Sequence, residues 1–197
     1  MAVQLGFHVD MTRCTGCRTC AIACKDKHDL GPGQLFRRVT EVEGGSYGET
    51  GAGAVVPHVF AYYISIACNH CENPRCVANC PSGALSKNPA DGVVSIDPTV
   101  CIGCRYCAWS CPYGAPQYNP ALGITQKCDL CADLRAAGQE PACVTACPLR
   151  AIDWGSVEVL RERYGGTMAL DCLPDPNLTR PNACYTPHRD AARRLRP

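Results

Sequence analysis

Apolar residues along this chain come in short runs. VFAYYISI (59–66) and VVSI (93–96) predict strands, each leading into a cysteine-rich loop. TCAIACKDKHDL (19–30) and SVEVLRERY (156–164) predict short helices. The most apolar stretch, Val55 to Cys68, is broken by Pro57 and His58. It falls far short of the about 20 residues a membrane span needs, so no direct membrane insertion is expected. EVEGGSYGETGAGAVVPH (41–58) is glycine-rich and predicts a surface loop, with a partner interface and a solvated connector as its two readings. LPDPNLTRPNACYTPHRDAARRLRP (173–197) predicts a proline-rich tail that does not fold alone, either disordered or, the favoured reading, an arm laid on another subunit.

Composition shifts the weight from apolar packing to sulfur. Only three Phe, two Trp and three Met accompany 18 cysteines in 197 residues. So much cysteine is the mark of a cysteine scaffold, and something attached to the cysteines is expected to help hold the fold. The net charge of +1 gives no electrostatic case for nucleic acid or for an anionic membrane. The opening MAVQLGFHVDMTRC lacks the basic segment and long apolar run of a secretory signal, so export is expected only in company with a partner.

Sixteen cysteines fall into four groups. Group I is Cys14, Cys17, Cys20 and Cys24; group II is Cys68, Cys71, Cys76 and Cys80; group III is Cys101, Cys104, Cys107 and Cys111; group IV is Cys128, Cys131, Cys143 and Cys147. Disulfides do not explain the spacing, because cysteines two or three apart on a tight loop rarely reach bridging geometry. Zinc, with four ligands per site, is the serious alternative. The C-x2-C-x2-C-x3-C run of groups I and III favours a [4Fe-4S] cubane: three thiolates of one loop hold one cube, and the fourth ligates another. Proline follows the fourth cysteine in groups II, III and IV (Pro81, Pro112, Pro148), and Lys25 stands there in group I.

The chain also repeats itself. HVDMTRCTGCRTC (8–20) matches SIDPTVCIGCRYC (95–107), with Asp four residues before the first cysteine in each. A duplicated strand–loop–helix unit explains this. Groups II and III are near in sequence and pair as one unit, and groups I and IV pair across them. The predicted cages are Cys14, Cys17, Cys20 with Cys147; Cys128, Cys131, Cys143 with Cys24; Cys68, Cys71, Cys76 with Cys111; and Cys101, Cys104, Cys107 with Cys80. The fold class is then α+β, two ferredoxin-like bis-[4Fe-4S] units with long loops and an extended C-terminal tail. One unit comprises 1–35 plus 119–155, the other is 58–118 inserted within it, 36–57 is the glycine-rich connector, and 156–197 carries a short helix and a partner-binding tail.

Such an array suits electron conduction rather than catalysis. Arg18 and Arg105 inside two loops, and Lys127 before Cys128, are candidates to raise cluster potentials, with ordinary solvated side chains as the equal alternative. His8, His28, His58, His70 and His188 are scattered without the spacing of a catalytic or metal pair, and no phosphate-binding glycine motif occurs. Only His70, inside CNHC, is worth following, with a structural role expected. Cys172 and Cys184 lie outside the groups, as spare thiols or a tail disulfide.

CTGCRTCAIACKDKHDL, FAYYISIACNHCENPRCVANCPSGAL, CIGCRYCAWSCPYGAPQYN and CPLRAIDWG resemble the four-cluster electron-transfer subunits of molybdopterin oxidoreductases, and within them those of dimethyl sulfoxide reductase. The resemblance covers about residues 5–185. It implies four [4Fe-4S] clusters, since Cys104 stands where the nitrate reductase branch has tryptophan and a three-iron cluster. It also implies a non-catalytic relay between an integral membrane quinol subunit and a large molybdopterin catalytic subunit. Group III would face the membrane partner and group I the catalytic one, with electrons running III, II, IV, I in a reductase. The complex would sit peripherally on the extracytoplasmic face, exported with its catalytic partner. A tetrathionate, thiosulfate/polysulfide or formate enzyme is the alternative within the set, and a zinc-stapled scaffold the alternative outside it.

Overall fold

The computed structural model describes residues 3–191. It is a mixed α/β arrangement of short elements, and proline placement sets several of their lengths. Helix α1 (Thr19–Lys27) runs nine residues because nothing interrupts it after Cys24. Helices α2 (Arg75–Ala78), α3 (Tyr106–Ser110) and α5 (Ala142–Thr145) last four or five residues and stop just short of Pro81, Pro112 and Pro148, and α4 (Ala132–Ala136) is as short. Proline supplies no N–H and pushes the residue before it out of helical geometry. Cys111, directly before Pro112, is accordingly extended, with φ −84° and ψ 113°.

Strand β1 (Leu5–Asp10) is the centre of the largest sheet. It pairs antiparallel with β10 (Ile152–Ser156) and parallel with β11 (Cys184–Thr186). Its middle residues are buried, with Phe7 and Val9 feeding two different apolar clusters. Helix α6 (Val157–Tyr164) follows β10 and buries Val157 and Leu160. It ends at Gly165, whose φ of 58° suits a residue without Cβ.

The remaining sheets are two-stranded. Strand β2 (Arg38–Gly44) pairs along its full length with β5 (Phe60–Ile66), the strand expected over 59–66. Strands β3 (Tyr47–Glu49) and β4 (Val55–Pro57) form an exposed hairpin between them. The glycine-rich segment is therefore at the surface as expected, but it is ordered strand and hairpin rather than loop. The register is set by β5, whose alternate residues Phe60, Tyr62 and Ile64 are buried against Val42 and the tail. Strands β6 (Leu85–Lys87) and β7 (Val94–Ile96) form one further hairpin, and β8 (Gln117–Asn119) and β9 (Ile124–Gln126) another.

To Ala191 the tail is folded against the rest of the protein. Ala183, Tyr185 and Ala191 join Val9, Met11, Tyr62 and Ile64 in one apolar cluster. Backbone bonds from Glu72, Asn73 and Asn182 to Arg180, Thr179 and Asn69 strap it across group II. The Asn182 side chain donates to the carbonyl of His70 at 2.9 Å. The final six residues of the expected tail, 192–197, lie outside the described residues. Cys172 and Cys184 are free thiols, the first half-buried and the second buried, so no tail disulfide forms.

Candidate metal centre

All four cysteine groups use one local construction. The residue before the second cysteine is left-handed in each: Gly16 at φ 74°, His70 at 42°, Gly103 at 67° and Leu130 at 61°. The turn folds the loop back so that its thiols converge. Glycine adopts it freely, whereas His70 and Leu130 are held there at a cost of roughly 1–3 kcal/mol each by their buried surroundings. The third cysteine then sits in the first turn of a helix: Cys20 in α1, Cys76 in α2, Cys107 in α3 and Cys143 in α5. The fourth cysteine follows four residues later in each group, about one helical turn on.

Groups I and III extend the likeness to side chains. Asp10 Oδ1 accepts from the backbone N–H and hydroxyl of Thr12 at 2.9 and 2.6 Å. Asp97 does the same with Thr99 at 2.8 and 2.6 Å. The aspartates that stand four residues before Cys14 and Cys101 thus close the same Asx turn at the entrance to each loop.

The thiols meet across groups. Cys14, Cys17 and Cys20 line one small pocket together with Cys147. Burial raises Cys14 above the ordinary thiol range, and neighbouring Cys20, Cys147 and Cys17 add to this despite a donor from Gly16. Cys24 is pushed up to about 12, by burial first, then by Cys143 and, beyond it, Cys131, two thiols of group IV. Cys76 reaches about 12 and Cys71 about 11, again mainly through burial, with Cys68 and Cys111 pressing on both. Cys107 is raised by burial with Cys101 and Cys104 beside it. For Cys80 the link to group III is one of elements, the packing of α2 against α3. Burial of Cys80 is outweighed by the N–H groups of Leu85, Ser82 and Ala84 and the Ser82 hydroxyl, which hold its thiol below the usual value.

Two further neighbours connect the pairs. Cys128, well above the ordinary range through burial, also feels Cys68 of group II and Cys24 of group I. The groups therefore adjoin in the order III, II, IV, I. Two buried cations lie along this row. Lys127 donates to the carbonyls of Val94 and, at 2.6 Å, Cys128, and it lowers the cost of ionising Cys76 and Cys128. Arg37 is wholly buried; burial works against its charge, but the nearby sulfurs of Cys143, Cys20, Cys128 and Cys24 more than offset this and hold its guanidinium above its usual range. The cations inside the loops do otherwise: Arg18 and Arg105 are exposed, and Arg105 stacks 3.9 Å over the ring of Tyr118. Sequence reasoning found Lys127 by its place beside Cys128 but missed Arg37, which no motif marks.

The donor set fits an iron–sulfur group. All 18 cysteines are free thiols, and donors already point at their sulfurs: Leu130 N–H at Cys128 (3.4 Å), Ala151 N–H at Cys147 (3.3 Å) and the Thr19 hydroxyl at Cys17 (3.4 Å). Buried polar atoms around the groups, Arg37 Nε and Nη2 first, lack hydrogen-bond partners among the described residues. Unpaired buried groups are costly, and acceptor sulfur would satisfy them. His28 Nε2 stands 3.7 Å from the Cys131 sulfur, a neighbour its position in sequence did not suggest. His70 is wholly buried, and its Nδ1 accepts from Val94 N–H at 3.0 Å. Burial, then Lys127 and Arg135, keep it neutral far below its ordinary value, as suits a structural residue.

Residues 59–157 match the family described as the 4Fe-4S dicluster domain. Over 191 residues the protein is 50% identical to the B subunit of anaerobic dimethyl sulfoxide reductase of Escherichia coli (strain K12), across 97% of this sequence and 92% of that one. The protein belongs to the dimethyl sulfoxide reductase B-subunit family of 4Fe-4S dicluster proteins. The B subunit of the Haemophilus influenzae enzyme is 47% identical, over 95% of this sequence and 91% of its own. The thiosulfate reductase electron transfer subunit PhsB of Salmonella typhi is 40% identical, over 76% and 74%. The cofactors of the family are [4Fe-4S] clusters.

Proposed function

We propose that the chain is a non-catalytic electron-transfer subunit holding four [4Fe-4S] clusters. The cages are those given by exchange of fourth cysteines: Cys14, Cys17, Cys20 with Cys147; Cys128, Cys131, Cys143 with Cys24; Cys68, Cys71, Cys76 with Cys111; and Cys101, Cys104, Cys107 with Cys80. The single observation that carries this is the continuous row of thiol groups, in which three fourth cysteines, Cys147, Cys24 and Cys111, stand beside thiols of a neighbouring group. It also supports two ferredoxin-like units, one from 1–35 and 119–155 around β1, β10, α1 and α5, the other within 58–118 around α2 and α3. A bound [4Fe-4S] cluster supplies one-electron exchange with little rearrangement. The residues of the chain exclude water, donate N–H groups to sulfur and hold the four sites in a row.

The partners follow from the two ends of that row. Around group III, Val100, Ile102, Tyr106 and Trp109 are exposed, Trp109 by 75%. Apolar side chains gathered on one surface in this way mark a docking face. We assign it to an integral membrane quinol-interacting subunit, and the group I end to a large molybdopterin catalytic subunit, so that electrons run III, II, IV, I in a reductase. Among the described residues no helix is long and apolar enough to cross a membrane, which supports peripheral attachment through these partners. The extracytoplasmic face and export alongside the catalytic subunit belong to the same reading. The higher identity to the dimethyl sulfoxide reductase subunits than to the thiosulfate relative favours a dimethyl sulfoxide reductase-like enzyme.

Metal analysis of anaerobically purified protein tests the core of this reading. About 16 iron and 16 sulfide per chain are expected, four of each per cubane. Stoichiometric zinc, or half that iron, would sink it. Trp109→Asp is expected to release the protein from washed membranes with its iron unchanged. Retention on the membrane would remove the docking assignment.

A further inference from the structure

Arg37 precedes β2 and is 1% exposed, one of the largest fully buried side chains among the described residues. Its Nη1 donates to Ser65 Oγ at 3.1 Å, and the same hydroxyl lies 3.4 Å from the Cys20 sulfur. The guanidinium carbon sits 4.3 Å over the Phe7 ring, which offers the cation a weak electrostatic seat. Its other donors, Nε and Nη2, have no hydrogen-bond partner among the described residues. Among the described residues no carboxylate is paired with it.

A guanidinium does not shed its proton, so burial without an anion is an arrangement proteins avoid. The groups near enough to carry the opposite charge are sulfur: Cys20, reached through Ser65, and Cys143, Cys128 and Cys24. Cys20 belongs to the proposed group I cage, while the other three belong to the group IV cage. Lys127 differs, because it already donates to two carbonyls. Arg37 keeps two N–H groups unspent at the junction of two sites.

We infer that Arg37 is a shared anchor for the clusters of groups I and IV, donating its Nε–H and Nη2–H to sulfur and favouring the reduced form of both. A cubane with four thiolate ligands is anionic and gains one negative charge on reduction, so a fixed cation beside it stabilises the reduced state more than the oxidised one. Cluster potential answers to nearby charge and to hydrogen bonds at sulfur, and Arg37 supplies both at once. The inference rests on groups I and IV holding clusters as proposed above.

The test is an EPR-monitored redox titration of the iron-replete protein and its Arg37→Met and Arg37→Lys variants, after iron has been counted. Arg37→Met is expected to shift the reduction equilibrium of two of the four clusters at least tenfold towards the oxidised form. For one electron each tenfold change is about 59 mV. The other two clusters should be unmoved, and Arg37→Lys should fall between. Full iron with unaltered potentials, or an equal shift at all four, would overturn the inference. Should Arg37→Met fail to keep its iron, wild-type protein carrying guanidino-15N arginine takes its place. Pulsed EPR is then expected to resolve a nitrogen coupling on the reduced signals of two clusters, and its absence there overturns the inference. Wild-type protein without iron would instead remove the reading beneath it.

Discussion

Cys80→Ser is expected to abolish the cluster held by Cys101, Cys104 and Cys107, and to spare the one held by Cys68, Cys71 and Cys76. Cys80 lies beyond the end of α2, while Cys76 lies inside it. That helix is only four residues long, so one turn separates the two thiols and directs them to different neighbours. Cys111 stands in the mirrored position after α3, and its field reaches Cys71 and Cys76 in group II. By the symmetry of the two helices, which pack against each other, Cys80 serves group III. The variant should lose about a quarter of its iron, since one cubane of four is forfeited.

Which cluster is lost can be read by comparison. The EPR signal missing from Cys80→Ser should be the one missing from Cys104→Ala, and it should survive in Cys71→Ala. A signal shared with Cys71→Ala would refute the exchange of fourth ligands. Loss of the group III site would also remove the end of the row beside Trp109, so electron entry from a membrane partner should fail together with it.

The sequence was most legible where chemistry forces spacing. The four groups, the strand at 60–66, the helix after Cys17 and the stops before Pro81, Pro112 and Pro148 all follow from local rules that need no distant partner. The aspartates before groups I and III were visible as a repeat, and the structure supplies the reason, an Asx turn on Thr12 and Thr99. What could not be read depended on pairing at a distance. Glu41 to Gly44 contain glycine and charge and look like loop, yet β5 offers them a complete ladder with a buried face. The tail has proline and little apolar content, but Tyr185 finds a pocket against Met11 and Ile64 that only the folded chain creates. Arg37 was illegible for the same reason: its meaning lies in four thiols from two distant groups.

Removing the iron is expected to abolish the fold as well as the electron transfer. Nine of the sixteen grouped cysteines are buried, and six of them sit in the largest apolar cluster, where larger side chains would otherwise be. The elements around them cannot stand alone. The helices that carry the third cysteines have four to nine residues, below the roughly 12–15 at which isolated helices become even marginal. Among the described residues four of the five sheets are two-stranded, a form scarcely stable by itself in water. Extraction of iron would also leave the buried guanidinium of Arg37 without its counter-charges, because the bare thiols of Cys24 and its neighbours resist ionisation. In such sites metal binding energy is folding energy. Anaerobic chelation should therefore turn a sharp thermal transition into a broad, non-cooperative one, with near-ultraviolet circular dichroism lost and the tail made susceptible to protease around residues 166–191. An iron-free chain that kept a cooperative transition and a protected tail would mean that the apolar cluster of Val9, Met11, Tyr62 and Tyr185 suffices to hold the fold. The cysteine groups would then be passengers on a scaffold rather than its framework.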